Sequence, residues 1–376
     1  MKLCHGISGL PGFLVFLPLF ARAQVIAFAD LNPTGSIRSE VYSITGNQQT
    51  GNANTDGWEH AGLWYGTAGS FVDLNPPGFT ESYAYAMTAI QQVGYASRNS
   101  GAYNAGLWSG TADSFVNLHP AGASYSFGLA TTGSQQAGVA AMGGIHHAGI
   151  WFGTANSFVD LHPAGADESE AYSTTGSQQA GSAVFGGKFH AGIWSGTPES
   201  FVDLHPSVAS ASLANATTGN QQAGRAVIGG DSHAGLWFGT AASFVDLNPA
   251  EASRSWASAT TGQQQAGRAT IGGIVHAGLW FGTAESFVDL HTSLGPDYRS
   301  SQAEAIWTDG SMVLVAGSAY HVPTSGNHAI LWTIVPEPSS TSLVLATLVG
   351  LGLVHHNRKK GNGSCRGEVF SGARPD

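Results

Sequence analysis

A four-residue pattern, F-x-D-L, recurs at a nearly fixed spacing along this chain, and that spacing restricts the fold more than any other feature. It begins at Phe28, Phe71, Phe115, Phe158, Phe201, Phe244 and Phe287, in steps of 43, 44, 43, 43, 43 and 43 residues. The third copy has Asn117 in place of Asp. A second pattern, H-A-G-[LI]-W, ends on Trp64, Trp108, Trp151, Trp194, Trp237, Trp280 and Trp332. One copy starts on Asn104 rather than His, and the last reads HAILW, 52 residues after its predecessor.

The two patterns belong to one hairpin. In His190–Pro206, HAGIWSGTPESFVDLHP, a strand ending in Ile-Trp leads into a Ser-Gly-Thr-Pro turn. A second strand, Ser200–Leu204, stops at His-Pro. Two further strands fit between one hairpin and the next. In the fourth unit they are Glu170–Thr175 and Gln178–Phe185, joined by a turn in which Gly176 suits positive φ. Each period therefore holds four short strands, A to D, with the Trp on C and F-x-D-L on D.

Four strands per period of about 43 residues is the period of a propeller blade. Leucine-rich repeats are shorter, and helical repeats need a 3.6-residue periodicity that is absent. A blade buries both faces on its neighbours, so its strands need no clean polar–apolar alternation. The ends of the chain carry the topology. The first F-x-D-L has no A, B or C strand before it, and the last Trp strand has no F-x-D-L after it. The expected fold is therefore an all-β, seven-bladed β-propeller over residues 24–334. Its N-terminal strand, Val25–Leu31, supplies the outermost strand of the seventh blade and removes two open sheet edges.

Composition bounds the partners. Between residues 24 and 335 there are 21 Asp and Glu against 7 Lys and Arg. No nucleic-acid partner is expected and anionic lipid is a poor partner for this body, because phosphate binding needs clustered cations. The inner membrane is expected as a transient partner only. The two cysteines, Cys4 and Cys365, lie outside the repeats. No cofactor is expected.

Both ends carry targeting features. Lys2, an apolar run and Ala21-Arg22-Ala23 read as a signal peptide over residues 1–23, cut between Ala23 and Gln24. After the last repeat come Pro336-Glu337-Pro338, an apolar run from Leu343 to Val354, and a basic cluster including Arg358, Lys359 and Lys360. The run is expected to form a single short transmembrane helix. Its twelve residues would span roughly 18 Å, short of a hydrocarbon core of about 30 Å. The basic cluster would hold that end on the cytoplasmic side. Residues 361–376 read as an unstructured tail.

The tag, apolar run and basic cluster over residues 335–360 resemble the PEP-CTERM sorting domain read by exosortases. The resemblance implies a single-pass membrane precursor, cleavage near Pro-Glu-Pro, and delivery to the cell surface or extracellular matrix. Signal peptidase and an exosortase-type enzyme are then its processing partners, and exopolysaccharide is a candidate ligand. The body is similar to extracellular HAF-type repeats. The shared elements are the Gly-x-Gln-Gln-Ala-Gly region, as at Gly176–Gly181, and His-Ala-x-x-Trp, with Gly in place of the family's Phe in six of seven copies. That resemblance carries no catalytic residue.

Several side-chain series invite a functional reading. His60, His147, His190, His233, His276 and His328 are equivalent, one per blade, with Asn104 in the seventh place. On a strand that is not innermost they lie too far apart to share a metal ion. A bond to the backbone or to the F-x-D-L Asp is the simpler expectation. Asp30, Asp73, Asp160, Asp203, Asp246 and Asp289 are expected to cap turns or meet that His. Trp58, Tyr83, Tyr85, Tyr125, Tyr172 and Trp256 could stack on sugars, although core filling is the expectation for such rings.

Units one and seven carry the sequence variation and would adjoin in a closed ring. This places candidate ligand contacts at Trp58, Glu59 and Asp297. Glu59, Asp297 and Glu304 are the carboxylates of these units, and no spacing brings them to one cleft. The expected function is a non-enzymatic surface or matrix scaffold, or weak polysaccharide binder. The alternative is a glycosidase or lyase built on the propeller.

Overall fold

The computed structural model describes residues 24–98 and 101–335. The signal peptide, the Pro336–Pro338 tag, the C-terminal apolar segment expected as a helix, the basic cluster and the tail lie outside the described residues. Residues 24–335 form one compact unit.

That unit is a seven-bladed β-propeller of four-stranded antiparallel sheets. Blade 4 is representative, with strands Glu168–Thr174, Gln179–Phe185, Lys188–Trp194 and Val202–Asp203. Blade 7 joins Tyr298–Thr308, Val313–His321 and Gly326–Val335 to the N-terminal strand Gln24–Asp30. Phe28 pairs with Trp332 and Asp30 with Ile330, so the chain closes on its own first strand as expected. The A strands of successive blades adjoin all the way round, blade 7 against blade 1 included, and encircle the central channel.

Strand D is shorter than its sequence suggests. The five-residue strand expected over Ser200–Leu204 is only Val202–Asp203, preceded by a 3-10 turn at Pro198–Ser200. The Ser200 hydroxyl causes the difference. It accepts the Ser195 N–H (2.7 Å) and donates to the Thr197 carbonyl (2.6 Å), curling the chain before it can pair.

The blades are joined by a polar bond and an apolar one, both repeated. In every blade the Ala N–H of strand C donates to a buried Ser Oγ on strand A of the next blade, at 2.9–3.0 Å. The seventh copy, Ala329 to Ser39, runs across the closure. The strand-C Trp is fully buried in all seven blades. It packs on the preceding blade, as Trp194 does on Ala148, Ile150 and Leu161. At the closure Trp64 packs with Leu31 and Leu331, and its Nε1 donates to the Leu31 carbonyl at 2.9 Å.

The Gln-Gln pair of each repeat is a third inter-blade clamp. In blades 3 to 6 the second Gln donates to the first Gln of the preceding blade, as Gln179 does to Gln135 at 3.0 Å. Its Oε1 accepts the N–H of the glycine two residues after the Trp, as with Gly196 at 3.0 Å. Blade 7 has Leu314 and Val315 at these positions; both are buried, and Leu314 packs in the core at the closure instead.

The glycine of H-A-G-[LI]-W makes room for the F-x-D-L phenylalanine. A Cβ on Gly192 would lie 2.0 Å from Phe201, and the other five Gly–Phe pairs are as tight. In these six blades the ring packs against the strand-C Trp with centroids 5.0–5.1 Å apart. Blade 7 reverses the arrangement. Ile330 replaces the glycine and is fully buried, while Phe28 is displaced to 37% exposure and meets Tyr298 edge-on.

Gly192→Ala should therefore destabilise the propeller by about 1–3 kcal/mol through overpacking. Phe28→Ala should cost well under the cost of Phe201→Ala, which removes a ring from the core. Urea denaturation midpoints of the three variants check both statements.

Candidate functional site

Each A strand contains a β-bulge at the same place, opposite the glycine of the Gln-x-Gly triplet on strand B. A Cβ on that glycine would lie 1.8–2.0 Å from the strand-A carbonyl in all seven blades, so only glycine fits. A bulge leaves one residue unpaired and re-aims side chains. The unpaired residues are Tyr42, Tyr85, Leu129, Tyr172, Asn215, Ser258 and Glu304. The outer strands repeat almost unchanged from blade to blade, whereas this inner column holds five residue types in seven blades.

The inner residues form two unlike walls. Across blades 1 to 3, Tyr42, Tyr85, Tyr83, Tyr95, Phe127 and Tyr125 contact one another in sequence, with centroids 5.1–6.0 Å apart. Tyr95 is buried at 6% exposure, and Tyr83, Tyr85 and Tyr125, packed along the same run of rings, are half-buried. Burial, then neighbouring carboxylates, pushes the Tyr83 and Tyr85 phenols well above their usual range, so they stay neutral donors. Across blades 5 and 6 the wall is instead Arg225, Trp256 and Arg268.

Three cavities adjoin these walls and share lining residues. One of about 310 Å³ reaches from Leu213 and Arg225 of blade 5 to Tyr42 of blade 1, and so spans the channel. A second, of about 330 Å³, shares Trp256 and Arg268 with it. The third, of about 360 Å³, shares Tyr42 with the first and Tyr320 and Asn327 with the second. Each sits at the small end of ligand pockets, roughly 300–1,000 Å³.

Two of the expected contacts are placed apart from these cavities. Glu59 lines the third, where Arg38, Asn52 and Asn54 all donate to its carboxylate. Trp58, next to it, points outward at 47% exposure and lines none of the three. Asp297 is exposed, and its carbonyl holds the Val322 N–H at 2.8 Å. The variant units do adjoin, since Asn327 Nδ2 donates to Glu40 Oε1 at 2.6 Å. Glu304, noted in the sequence as a carboxylate of unit seven, lines the first cavity and accepts from Arg268 at 3.2 Å. Burial pushes its carboxyl upward, against the pull of Arg268.

Of the bulge residues the sequence singles out Tyr85, Tyr172 and Glu304; Tyr42, Leu129, Asn215, Ser258 and the arginines were missed. The signal was available. Within an almost invariant repeat, the strand-B column that reads Asn52, Tyr95, Val139, Ser182, Arg225, Arg268 and Ser318 varies throughout.

The His and Asp series resolve into a structural network. In six blades His Nδ1 lies 2.7–2.8 Å from Oδ2 of its own F-x-D-L Asp. The Asp Oδ1 caps the N–H two residues on, so both expected roles occur together. Blade 2 has Asn at both positions, Asn104 and Asn117, and Asn117 keeps the cap at 2.8 Å. Among the described residues, no three His, Cys, Asp or Glu side chains gather as a metal cage.

No protein-family model matches the chain, and no curated protein sequence matches it. Solved structures resemble it in fold. A puromycin-hydrolysing peptidase of Mycobacterium tuberculosis superposes with a TM-score of 0.54 at 15% identity. The match covers 82% of this chain but only 55% of that one. An oligogalacturonate lyase of Vibrio parahaemolyticus gives a TM-score of 0.50 at 10% identity, over 85% of this chain and 100% of that one. TolB of Acinetobacter baumannii gives 0.45 at 11%, over 78% of each. At these identities the likeness is one of fold alone.

The residue after F-x-D-L, Asn or His, completes the network and carries a pH consequence. His162 Nε2 donates to the Ala166 carbonyl (3.1 Å), so Nδ1 must accept from the inter-blade Ser169 hydroxyl (2.9 Å). Asn75 makes the same two bonds, Nδ2 to the Phe79 carbonyl and Ser82 to Oδ1. Burial, then the adjacent His147, lowers the His162 pKa, and burial, then His190, lowers that of His205. Their pKa values lie lower in the folded chain than in the unfolded one. Their contribution is therefore present above the unfolded value of about 6.5 and is lost as pH falls through the folded value. His162→Asn with His205→Asn should leave the fold intact at neutral pH and flatten the loss of thermal stability between pH 7 and 5. Melting curves across that range check it.

Proposed function

We propose that this chain is exported, sorted by an exosortase-type system, and displayed at the cell surface or in the matrix. There it acts as a non-enzymatic scaffold that binds polysaccharide weakly at the channel. The observation that carries the binding part is the heterogeneous inner wall: aromatic rings with polar edges, of which Tyr42 faces Arg225, Trp256 and Arg268 across a cavity of sugar size. Ring faces that line a cavity suit the apolar faces of sugars, and neutral phenols suit their hydroxyls. Glu59 already accepts hydrogen bonds from Arg38, Asn52 and Asn54, which tie it into the structure. The export part rests on the order of charge, apolar run and Ala-x-Ala at one end, and of tag, apolar run and basic cluster at the other.

One observation favours the alternative, a glycosidase or lyase. Glu304 is a carboxyl whose pKa is raised by burial in a channel cavity, which is how a general acid is prepared.

Two measurements separate these readings. Mass spectrometry of surface-released protein should find a mature form starting at Gln24 and ending near Pro338. Full-length protein retained in the inner membrane would contradict the sorting reading. Incubation with oligosaccharides should give binding without new reducing ends or unsaturated products. Turnover abolished by Glu304→Gln would instead establish the enzyme.

A further inference from the structure

This chain is sparing with cations, and it gathers them unevenly. Of the seven Lys and Arg between residues 24 and 335, three lie on the inner strands of two adjacent blades: Arg225, Arg254 and Arg268. Arg225 and Arg268 occupy one equivalent column, opposite Leu213 and Trp256 of their own blades. Their guanidinium groups lie 5.9 and 4.8 Å from the centroid of the Trp256 ring.

The two arginines differ in one respect. Arg268 donates to Gln302 Oε1 (3.0 Å) and to Glu304 Oε1 (3.2 Å), so its charge is answered within the protein. The Arg225 guanidinium has neither a hydrogen bond nor an ion pair with any described residue. It is half-buried, and burial followed by the like charge of Arg268 holds its pKa below the usual arginine value. A desolvated guanidinium with all its donors unused is costly unless an anion completes it. The cavity of about 310 Å³ that it lines supplies the rest of a binding site: the Trp256 ring, the Ser258 hydroxyl, and the Tyr42 ring on the far side.

We propose that Arg225 is the anchor of a binding site for carboxylate-bearing sugars, with uronic-acid units of a polysaccharide held between Trp256 and Tyr42. The proposal rests on the polysaccharide-binding reading above and names the class of glycan. Three features select this chemistry. A guanidinium fork matches a carboxylate through two parallel hydrogen bonds. Aromatic rings on both sides suit the apolar face of a pyranose rather than a bare inorganic anion. Glu304 offsets Arg268, which leaves a single uncompensated positive charge from Arg225 in this cavity, matched to a monoanion. The neighbouring cavity of about 330 Å³, with exposed Arg254 at its edge, gives room for a second acidic unit of the same chain.

The test is calorimetric titration of the protein with alginate oligomers, neutral dextran oligomers of matched length, and inorganic phosphate. Alginate oligomers should bind more tightly than dextran, and Arg225→Gln should weaken that binding about tenfold or more, the loss expected for a charge-assisted pair. The preference should also shrink as salt rises. Arg98→Gln, outside all three cavities, serves as the charge control and should leave affinity unchanged. Trp256→Phe should weaken both oligomers while keeping the acidic preference, and its melting temperature shows whether the blade is intact. Equal binding of acidic and neutral oligomers, insensitive to Arg225→Gln, would overturn the uronate assignment while leaving a polysaccharide binder. Phosphate displacing alginate at equal or lower concentration would overturn the sugar-carboxylate assignment. Binding of no oligomer at all would remove the binding reading together with this one, leaving only the scaffold.

Discussion

The propeller depends on a backbone amide that its own sheet leaves free. In each blade the strand-C Ala N–H finds no partner on strand D, which is only two residues long in blades 1 to 6, and it donates instead to a buried serine of the next blade. A buried amide without a partner would cost on the order of 1–3 kcal/mol, so seven such bonds make the blades obligatory neighbours. The serine in turn donates to the Asn or His after F-x-D-L, whose other end holds the D–A connection. One hydroxyl thus ties together strand C of one blade, strand A of the next, and the loop that leads between them. The fully buried Trp adds the apolar half of the same joint, and the glutamine pairs add a second polar belt through the middle blades.

This arrangement separates structural from functional sequence. Residues that make the joint must repeat: Trp, the two glycines, Ser, Gln-Gln, and the His–Asp pair. Even their exceptions are paired. Asn104 comes with Asn117, and Ile330 comes with a displaced Phe28. The bulge residues of strand A and the residue after the glycine on strand B escape the constraint, because they make none of the repeated contacts of the joint. There the seven copies diverge into an aromatic wall and a basic one. A binding surface that breaks the sevenfold symmetry can therefore evolve without disturbing the ring.

Much of the architecture was legible in the sequence for a simple reason. Spacing reports on repeats, and the offset between the first F-x-D-L and the last Trp strand reports on closure. Phe28 opposite Trp332 follows from counting alone. The lengths of strand D were less legible, since a serine hydroxyl and not strand propensity sets where Val202 begins to pair. The site was hardest to see. Variation at Trp58 and Asp297 drew attention to turns, whereas the chemistry lies at bulge residues such as Tyr42 and Glu304, whose direction no periodicity rule gives. The near-identity of the repeats also argued against asymmetric chemistry, and it holds for the outer strands only.

The most direct measurement is native-state hydrogen exchange at the Leu31 amide, which donates to the Ala329 carbonyl at 2.8 Å where the chain's two ends meet. In a ring closed by its N-terminal strand, this amide and those of residues 326–335 exchange only on global unfolding, with the same free energy. Exchange of Leu31 at the rate of a frayed terminus, while residues 326–335 remain protected, would contradict the closure.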